Sequence, residues 1–456
     1  METLHDQRGS LRGHIRAVPV VAAVVALALG LSACVSSGGS GGSGGGTPTV
    51  NVWSWRSQDA PVWKAVESEL AKKGTNVNIK FRGISATSYD SVLQTAMNGG
   101  SGPDIFYTRA GVGTQTYGAA GLAKPLDGIV DTSGLQKAAL AAAQYKGKTY
   151  GVPFAVQTMS VFYNKSLLAK NHVNVPTTWD GFLGAMKTLK GNGVTPMYVM
   201  GVQQWMLALQ IDAVGASTVD GKFTQALTDK KASYADQPYV KTLAAFQQLG
   251  PYLQDSWQAT GSAGNEQETA FALGKCGFII DGLFSTFAIK QVNPKMEIGQ
   301  FLVPSPSGGT PKVDWYADGN ISLNAKITDS AVQKAAEKVV AETATREFGN
   351  AFSNVAGEIS PISGVDVPSK YPLSVQAAKW YNQQAISPIF GIRSPMDTPN
   401  PDPASLKKAK SPTITNGIFT AEQNIAVPLL EGKLTPEKAA QQVQKTVQWY
   451  FDGTNN

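Results

Sequence analysis

The chain has 456 residues, with 39 Lys and Arg against 33 Asp and Glu for a formal net charge of +6, and 42% of it is hydrophobic. That length is too great for one small core and suits two packed lobes. The basic excess is dispersed, without the stripe or reading motif of a nucleic-acid binder, and supports at most a weak attraction to anionic envelope polymers.

At the N-terminus, Arg8, Arg12, His14 and Arg16 precede an apolar run from Ala17 to Gly30, followed by Leu31-Ser32-Ala33-Cys34. A charged segment, an apolar core of about 7–15 residues and a small-residue cleavage site read as a secretory signal. A transmembrane helix is the other reading, but a bilayer core needs roughly 20 apolar residues; this run is shorter and contains Pro19. The Leu-Ser-Ala-Cys sequence resembles the lipobox of bacterial lipoproteins. The resemblance implies a signal peptide over 1–33, lipid on Cys34, and a Gly/Ser tether over 34–47. The rest is then expected outside the cell, lipid-anchored to the outer face of the cytoplasmic membrane. With Cys34 lipidated, Cys276 has no disulfide partner; its apolar setting, Cys276–Ile280, reads as buried. His5 and His14 leave with the signal, and His172 alone cannot build a His/Cys metal site.

Beyond the tether, Val50, Val52 and Ser54 alternate with Asn51, Trp53 and Trp55 as a strand. Asp59 is expected to cap a helix with Val62, Val66 and Leu70 on one face. Val77–Arg82 alternates as a second strand. Thr87 or Ser88 opens a helix with Leu93, Ala96 and Met97 inward, Gly102-Pro103 stops it, and Asp104–Tyr107 is a third strand. Strand–helix–strand–helix–strand at this spacing predicts a parallel sheet with right-handed crossovers. Ligands of such sheets bind beyond the carboxyl ends of the strands, a rule that selects Trp55 and Arg56 after the first strand and Arg109 after the third. Further on, Thr178 caps a helix carrying Phe182, Leu183, Met186 and Leu189 on one face. Prolines recur from Ser387 to Ser411, so this stretch, with Lys407-Lys408-Ala409-Lys410, reads as a solvated loop. Thr435-Pro436 is a helix start, with Ala440, Val443, Val447 and Tyr450 in one stripe.

Several segments carry a family resemblance: Gly102-Pro103-Asp104-Ile105-Phe106; Lys146–Phe154 followed by Phe162-Tyr163-Asn164-Lys165; Val175–Phe182; Gly274-Lys275-Cys276 through Ile280-Asp281-Gly282; and Leu302-Val303-Pro304. Taken in order, they resemble the extracellular solute-binding proteins of ABC importers, in the sugar-binding group related to maltodextrin-binding protein. Gly181 departs from that pattern, standing where the family has an acidic residue. The resemblance implies an α/β, two-lobed periplasmic-binding-protein (type II) clamshell with a cleft between the lobes. Chain crossings are expected near Phe154–Thr158, Ala317–Ile321 and Ile359–Gly364. Lobe I would then comprise 48–156 plus 319–360, and lobe II 157–318 plus 361–456. It also implies a monomer that takes a carbohydrate ligand, closes about a hinge, docks on the transmembrane subunits of a permease, and needs no cofactor or metal.

Sugars present apolar C–H faces and many hydroxyls, so their sites combine aromatic platforms with Asp, Asn, Gln and Arg. Such residues recur together at the expected strand ends and crossings. The candidates are Trp55, Arg56, Arg109, Gln204, Trp205, Phe284, Trp315, Tyr316 and Asp318, with Gln157 and Asp281 added by matching position in the family. Core packing is the alternative for each tryptophan, and ion pairing with neighbours for Arg56 and Arg109. Hydrolase signatures are poor. Gly38–Gly42 spells G-x-S-x-G inside the tether, Gly147-Lys148-Thr149 has Ala142 where a P-loop needs glycine, and H-E-x-x-H is missing. No catalysis is expected. A glycoside-acting enzyme needs only two carboxylates without a local motif, so it remains the alternative of another class. A binder of a polyamine or peptide is the alternative within the fold.

Overall fold

The computed structural model describes residues 46–383 and 417–453, which, Gly46 apart, belong to one compact unit, Thr47–Asn456. The expected signal peptide over 1–33, Cys34 and the proline-rich 387–411 stretch lie outside the described residues. Two sheets organise the unit. In the first, β1 (Thr49–Ser54) lies between β2 (Asn78–Gly83) and β3 (Ile105–Arg109) and is parallel to both. The connections are helices Ala60–Lys72 and Tyr89–Asn98, so the strand–helix alternation in the sequence gives the expected parallel arrangement. Strand boundaries shift by about one residue from the sequence reading, because strands fray at their ends.

β4 (Gln144–Tyr145) and β5 (Lys148–Thr149) form a hairpin whose two turn residues, Lys146 and Gly147, both have positive φ. The Gly-Lys-Thr tripeptide is therefore the end of a tight turn and the strand that leaves it. β6 (Val152–Pro153) joins the first sheet at its far edge. The chain then crosses through Phe154–Ala155 to β7 (Val156–Asn164), the centre of the second sheet. That sheet adds β8 (Thr195–Met197), β9 (Cys276–Gly282), β10 (Ile298–Phe301) and β11 (Asp314–Ala317). Through Asp318 the chain returns to the first sheet as β12 (Gly319–Leu323), antiparallel to β3 and to β6.

Each sheet has its own apolar core. Around the first lie Val50, Val52, Val62, Val66, Leu70, Leu93 and Met97. Around the second, Phe182 sets its edge against Phe278 at 5.2 Å and Phe301 at 5.7 Å, with Met186, Leu189 and Met206 in the same layer. Burying each such side chain is worth roughly 1.5–3 kcal/mol. β9 is buried along its whole length, because helices cover both faces, which accounts for its unbroken apolar reading. Cys276 begins that strand, and burial alone pushes its thiol up, out of the reactive range.

Thr178 and Thr435 cap as expected, accepting from the backbone N–H groups of Gly181 and Lys438. Two caps differ from expectation. Asp59 and Ser88 occupy the N-cap positions but make no side-chain cap bond. For Asp59 the reason is a competing partner, since its carboxylate accepts from Arg56 Nε at 3.0 Å. Within the described residues no helix is long and apolar enough to cross a membrane.

Candidate functional site

At the carboxyl end of the first sheet, the Trp55 indole is half-buried among Tyr89 (5.4 Å), Tyr107 (5.6 Å) and Phe154 (6.0 Å). The Arg109 guanidinium lies 3.9 Å over the same indole, with its Nε 3.6 Å from Asp90. Arg109 retains 36% of its side-chain exposure, so this stacked pair presents an aromatic and cationic surface to solvent. The fold thus brings together two residues that the strand-end rule selects separately. Gly319 makes the stack possible: a Cβ there would lie 2.7 Å from the Thr108 carbonyl oxygen and 2.8 Å from both Phe154 and Trp55.

A second aromatic surface is built on the other sheet. Phe284 follows β9, folded back over Gly282, where a Cβ would collide with its ring. Trp205, in the first turn of helix Gln204–Ala216, sits 6.3 Å from Phe284 and is half-exposed, with Gln204 exposed beside it. Gln203 fixes the indole by accepting from Trp205 Nε1 at 2.8 Å while donating to the Gly261 carbonyl at 2.7 Å.

Asp281 lies under this surface, fully buried. It accepts from Gln267 at 2.8 Å, from the Gly282 N–H at 2.7 Å and from the Ser285 hydroxyl at 2.5 Å. Ser285 also lies 3.3 Å from Glu268. Burial pushes Glu268 up to about 8, reinforced by the Asp281 charge, and burial pushes Asp281 up to about 6 against its hydrogen bonds. These acids hold the Phe284 turn from beneath, and both are buried. Glu268 and Ser285 were not among the sequence candidates. Helix Glu266–Ala272 opens with Glu266-Gln267-Glu268, a polar first turn that gives no sign that Glu268 is buried.

The remaining candidates divide. Trp315 and Tyr316 alternate along β11, so one packs against Val156, Leu283, Ile359 and Ala377, and the other enters the second core. Trp315 is 6% exposed, with Tyr381 edge-on at 5.3 Å. Both rings are therefore packing groups in this structure, the alternative recognised for every tryptophan.

Arg56, Gln157 and Asp318 do come together, as a buried ionic cluster. Arg56, 3% exposed, gives Nε to Asp59 at 3.0 Å, one terminal nitrogen to Asp318 at 3.2 Å and the other to Glu358 at 2.7 Å. Gln157 donates to the same two distant acids, at 3.3 Å to Asp318 and 2.9 Å to Glu358. Burial disfavours the Arg56 charge, but three surrounding carboxylates hold it protonated more firmly than an ordinary arginine. Glu358 is pushed up to about 7 by burial, against the pull of Arg56 and with help from Asp318 and Asp59. The Arg56 shift follows from one cation serving three acids, the Glu358 shift chiefly from burial. Sequence reasoning missed Glu358, an isolated acid in the run Val355-Ala356-Gly357-Glu358-Ile359 with no local signal.

Comparison with known proteins places this arrangement. The chain is 23% identical over 334 residues to a multiple sugar-binding protein of Streptococcus mutans, covering 71% of this chain and 78% of that one. It is 24% identical over 295 residues to a maltotriose-binding protein of Pyrococcus abyssi, covering 61% of each chain. Among solved structures, a chitin oligosaccharide binding protein superposes with a TM-score of 0.68 at 20% identity, over 89% of this chain and 100% of that one. The GacH receptor of Streptomyces glaucescens gives 0.67 at 19% identity, over 90% and 99%. These likenesses fix the two-lobed, type II periplasmic-binding fold. Residues 53–347 match the family model of the bacterial extracellular solute-binding proteins, and the chain belongs to that family.

Proposed function

We propose that this protein is the substrate-binding receptor of a carbohydrate ABC importer. It captures a mono- or oligosaccharide between lobe I (48–156 plus 319–360) and lobe II (157–318 plus 361–456), closes about the crossings, and delivers the sugar to the permease. Lipid on Cys34 keeps it at the outer face of the membrane. The observation that carries this reading is the pair of half-exposed aromatic surfaces, Trp55–Arg109 on one sheet and Trp205–Phe284 on the other. Each couples a ring to polar neighbours, which is what stacking on a pyranose and bonding its hydroxyls requires. The sugar-binding names of relatives support the same ligand class.

The activity is binding without chemical conversion. Glu268 and Asp281, two acids joined through Ser285, are buried under the Phe284 turn. A thermal-shift screen against mono- and oligosaccharides tests the reading. A ligand at 100 times its Kd adds about 2.7 kcal/mol of stability, and the sugar should be recovered unaltered. Trp205→Ala is expected to weaken binding by about tenfold or more, roughly 1.4 kcal/mol, with little change in the ligand-free Tm. Release of a cleaved product, or stabilisation by polyamines alone, would overturn the assignment.

A further inference from the structure

Among the described residues, the Arg56 cluster touches both loops that carry the chain from one sheet to the other, and a third segment that lies against β7. Phe154, in the first crossing, lies 5.6 Å from the guanidinium carbon, and Gln157 follows two residues after Ala155. Asp318 is the second crossing. Glu358 precedes Ile359, whose carbonyl accepts from the Val156 N–H at 2.8 Å and so lays a third strand of chain beside β7. The first two crossings are also bonded to each other, through Asp318 N–H to Ala155 O at 3.0 Å and Phe154 N–H to Gly319 O at 3.3 Å. A rotation of one sheet against the other must turn these segments, and Arg56 binds side chains on two of them at once.

We infer that Arg56, Asp318, Glu358 and Gln157 form a clasp across the hinge, positioning residues that set the balance between open and closed forms without touching the ligand. The inference rests on the proposed capture by closure. A group that favours one of two conformations changes apparent affinity in proportion to the population it shifts, so ligand binding is tuned from a site remote from the sugar.

The clasp carries more negative than positive charge. Facing Glu358 are Arg56, Asp318, Asp59 and the Gln157 amide, and Asp59 in turn accepts from the Tyr107 hydroxyl at 3.1 Å. Asp318, at 13% exposure, is the acid nearest solvent. With the Glu358 proton midpoint raised to about 7, rising pH adds a second uncompensated charge and favours the form that moves Asp318 away from Glu358.

The test uses Glu358→Gln and Asp318→Asn, which keep shape and remove charge, because deleting Arg56 strands three acids and endangers folding. Small-angle X-ray scattering of the ligand-free protein is recorded at about pH 6 and pH 8, with near-ultraviolet circular dichroism and Tm to establish that each variant is folded. The wild-type profile is expected to change between the two pH values, that of Glu358→Gln to stay constant, and sugar Kd to shift about tenfold in either variant. Ligand-free profiles that superimpose for wild type and both folded variants, at both pH values, would overturn the clasp. If no sugar binds the wild type, the proposed function fails, while the ligand-free scattering still decides the clasp.

Discussion

Gly319→Ala places one methyl group where the second crossing enters β12. Its Cβ would lie 2.7 Å from the Thr108 carbonyl oxygen, 2.8 Å from Phe154 and 2.8 Å from the Trp55 ring, whereas ordinary contacts begin at 3.4 Å. The Thr108 oxygen belongs to β3, the hydrogen-bonded partner of β12, so changing a rotamer cannot relieve it. Either β12 moves off β3 or Trp55 is pushed out of its box. Overpacking of this kind costs about 1–3 kcal/mol. With a urea m-value near the upper end for small domains, about 3 kcal/mol/M, the midpoint should fall by roughly 0.3–1 M. Two probes, tryptophan fluorescence and far-ultraviolet circular dichroism, are needed because two lobes need not unfold together. Gly184→Ala is the matched control. Gly184 lies inside helix Trp179–Gly191, where an added methyl group would meet nothing within 4 Å, and the same substitution there should stabilise by about 0.5–1 kcal/mol. A Gly319→Ala protein that unfolds at the wild-type urea concentration would refute the argument that contact with β3 excludes a side chain.

The buried acids under Phe284 make stability pH-dependent. Glu268 binds its proton more tightly folded (about 8) than at its ordinary 4.5, so its contribution is complete at low pH and is lost as pH rises toward 8. The fall in urea midpoint from about pH 5 to pH 8.5 should therefore be smaller in Glu268→Gln, and parallel profiles would count against the pairing. Ser285→Ala removes the hydroxyl that favours the charged forms of both acids; it should cost about 1–3 kcal/mol, and more at pH 8 than at pH 5. Thr178→Ala should cost about 1 kcal/mol by leaving the Gly181 N–H uncapped, measurable as a lower urea midpoint with unchanged sugar affinity.

The parallel sheet and its order of elements were legible because each strand and helix advertises its own period locally. The aromatic–cation stack was legible for the same reason, since Trp55 follows β1 and Arg109 ends β3, adjacent strands of that sheet. Arg56 obeyed the same rule and yet is consumed by Asp318 and Glu358, 262 and 302 residues away in sequence. No spacing rule reaches that far. Trp315 and Tyr316 do stand beside a crossing, but alternation on β11 turns one toward each of two apolar layers. The sequence shows the alternation and conceals that both sides are covered. Asp59 looked like a cap because its position is right, and only its neighbour Arg56 in space reveals why it is not.

The interleaving of the two sheets also sets a timetable for synthesis. β3 is buried on both faces and needs β12 as a neighbour, yet roughly 200 residues separate them in the chain. At about 5–20 residues per second, the half-made first sheet would wait on the order of ten to forty seconds with β3 as a bare apolar edge. During that interval it offers unpaired backbone to any passing strand. A chain wired this way gains from being kept extended until its last strand is made, so holding it unfolded protects it.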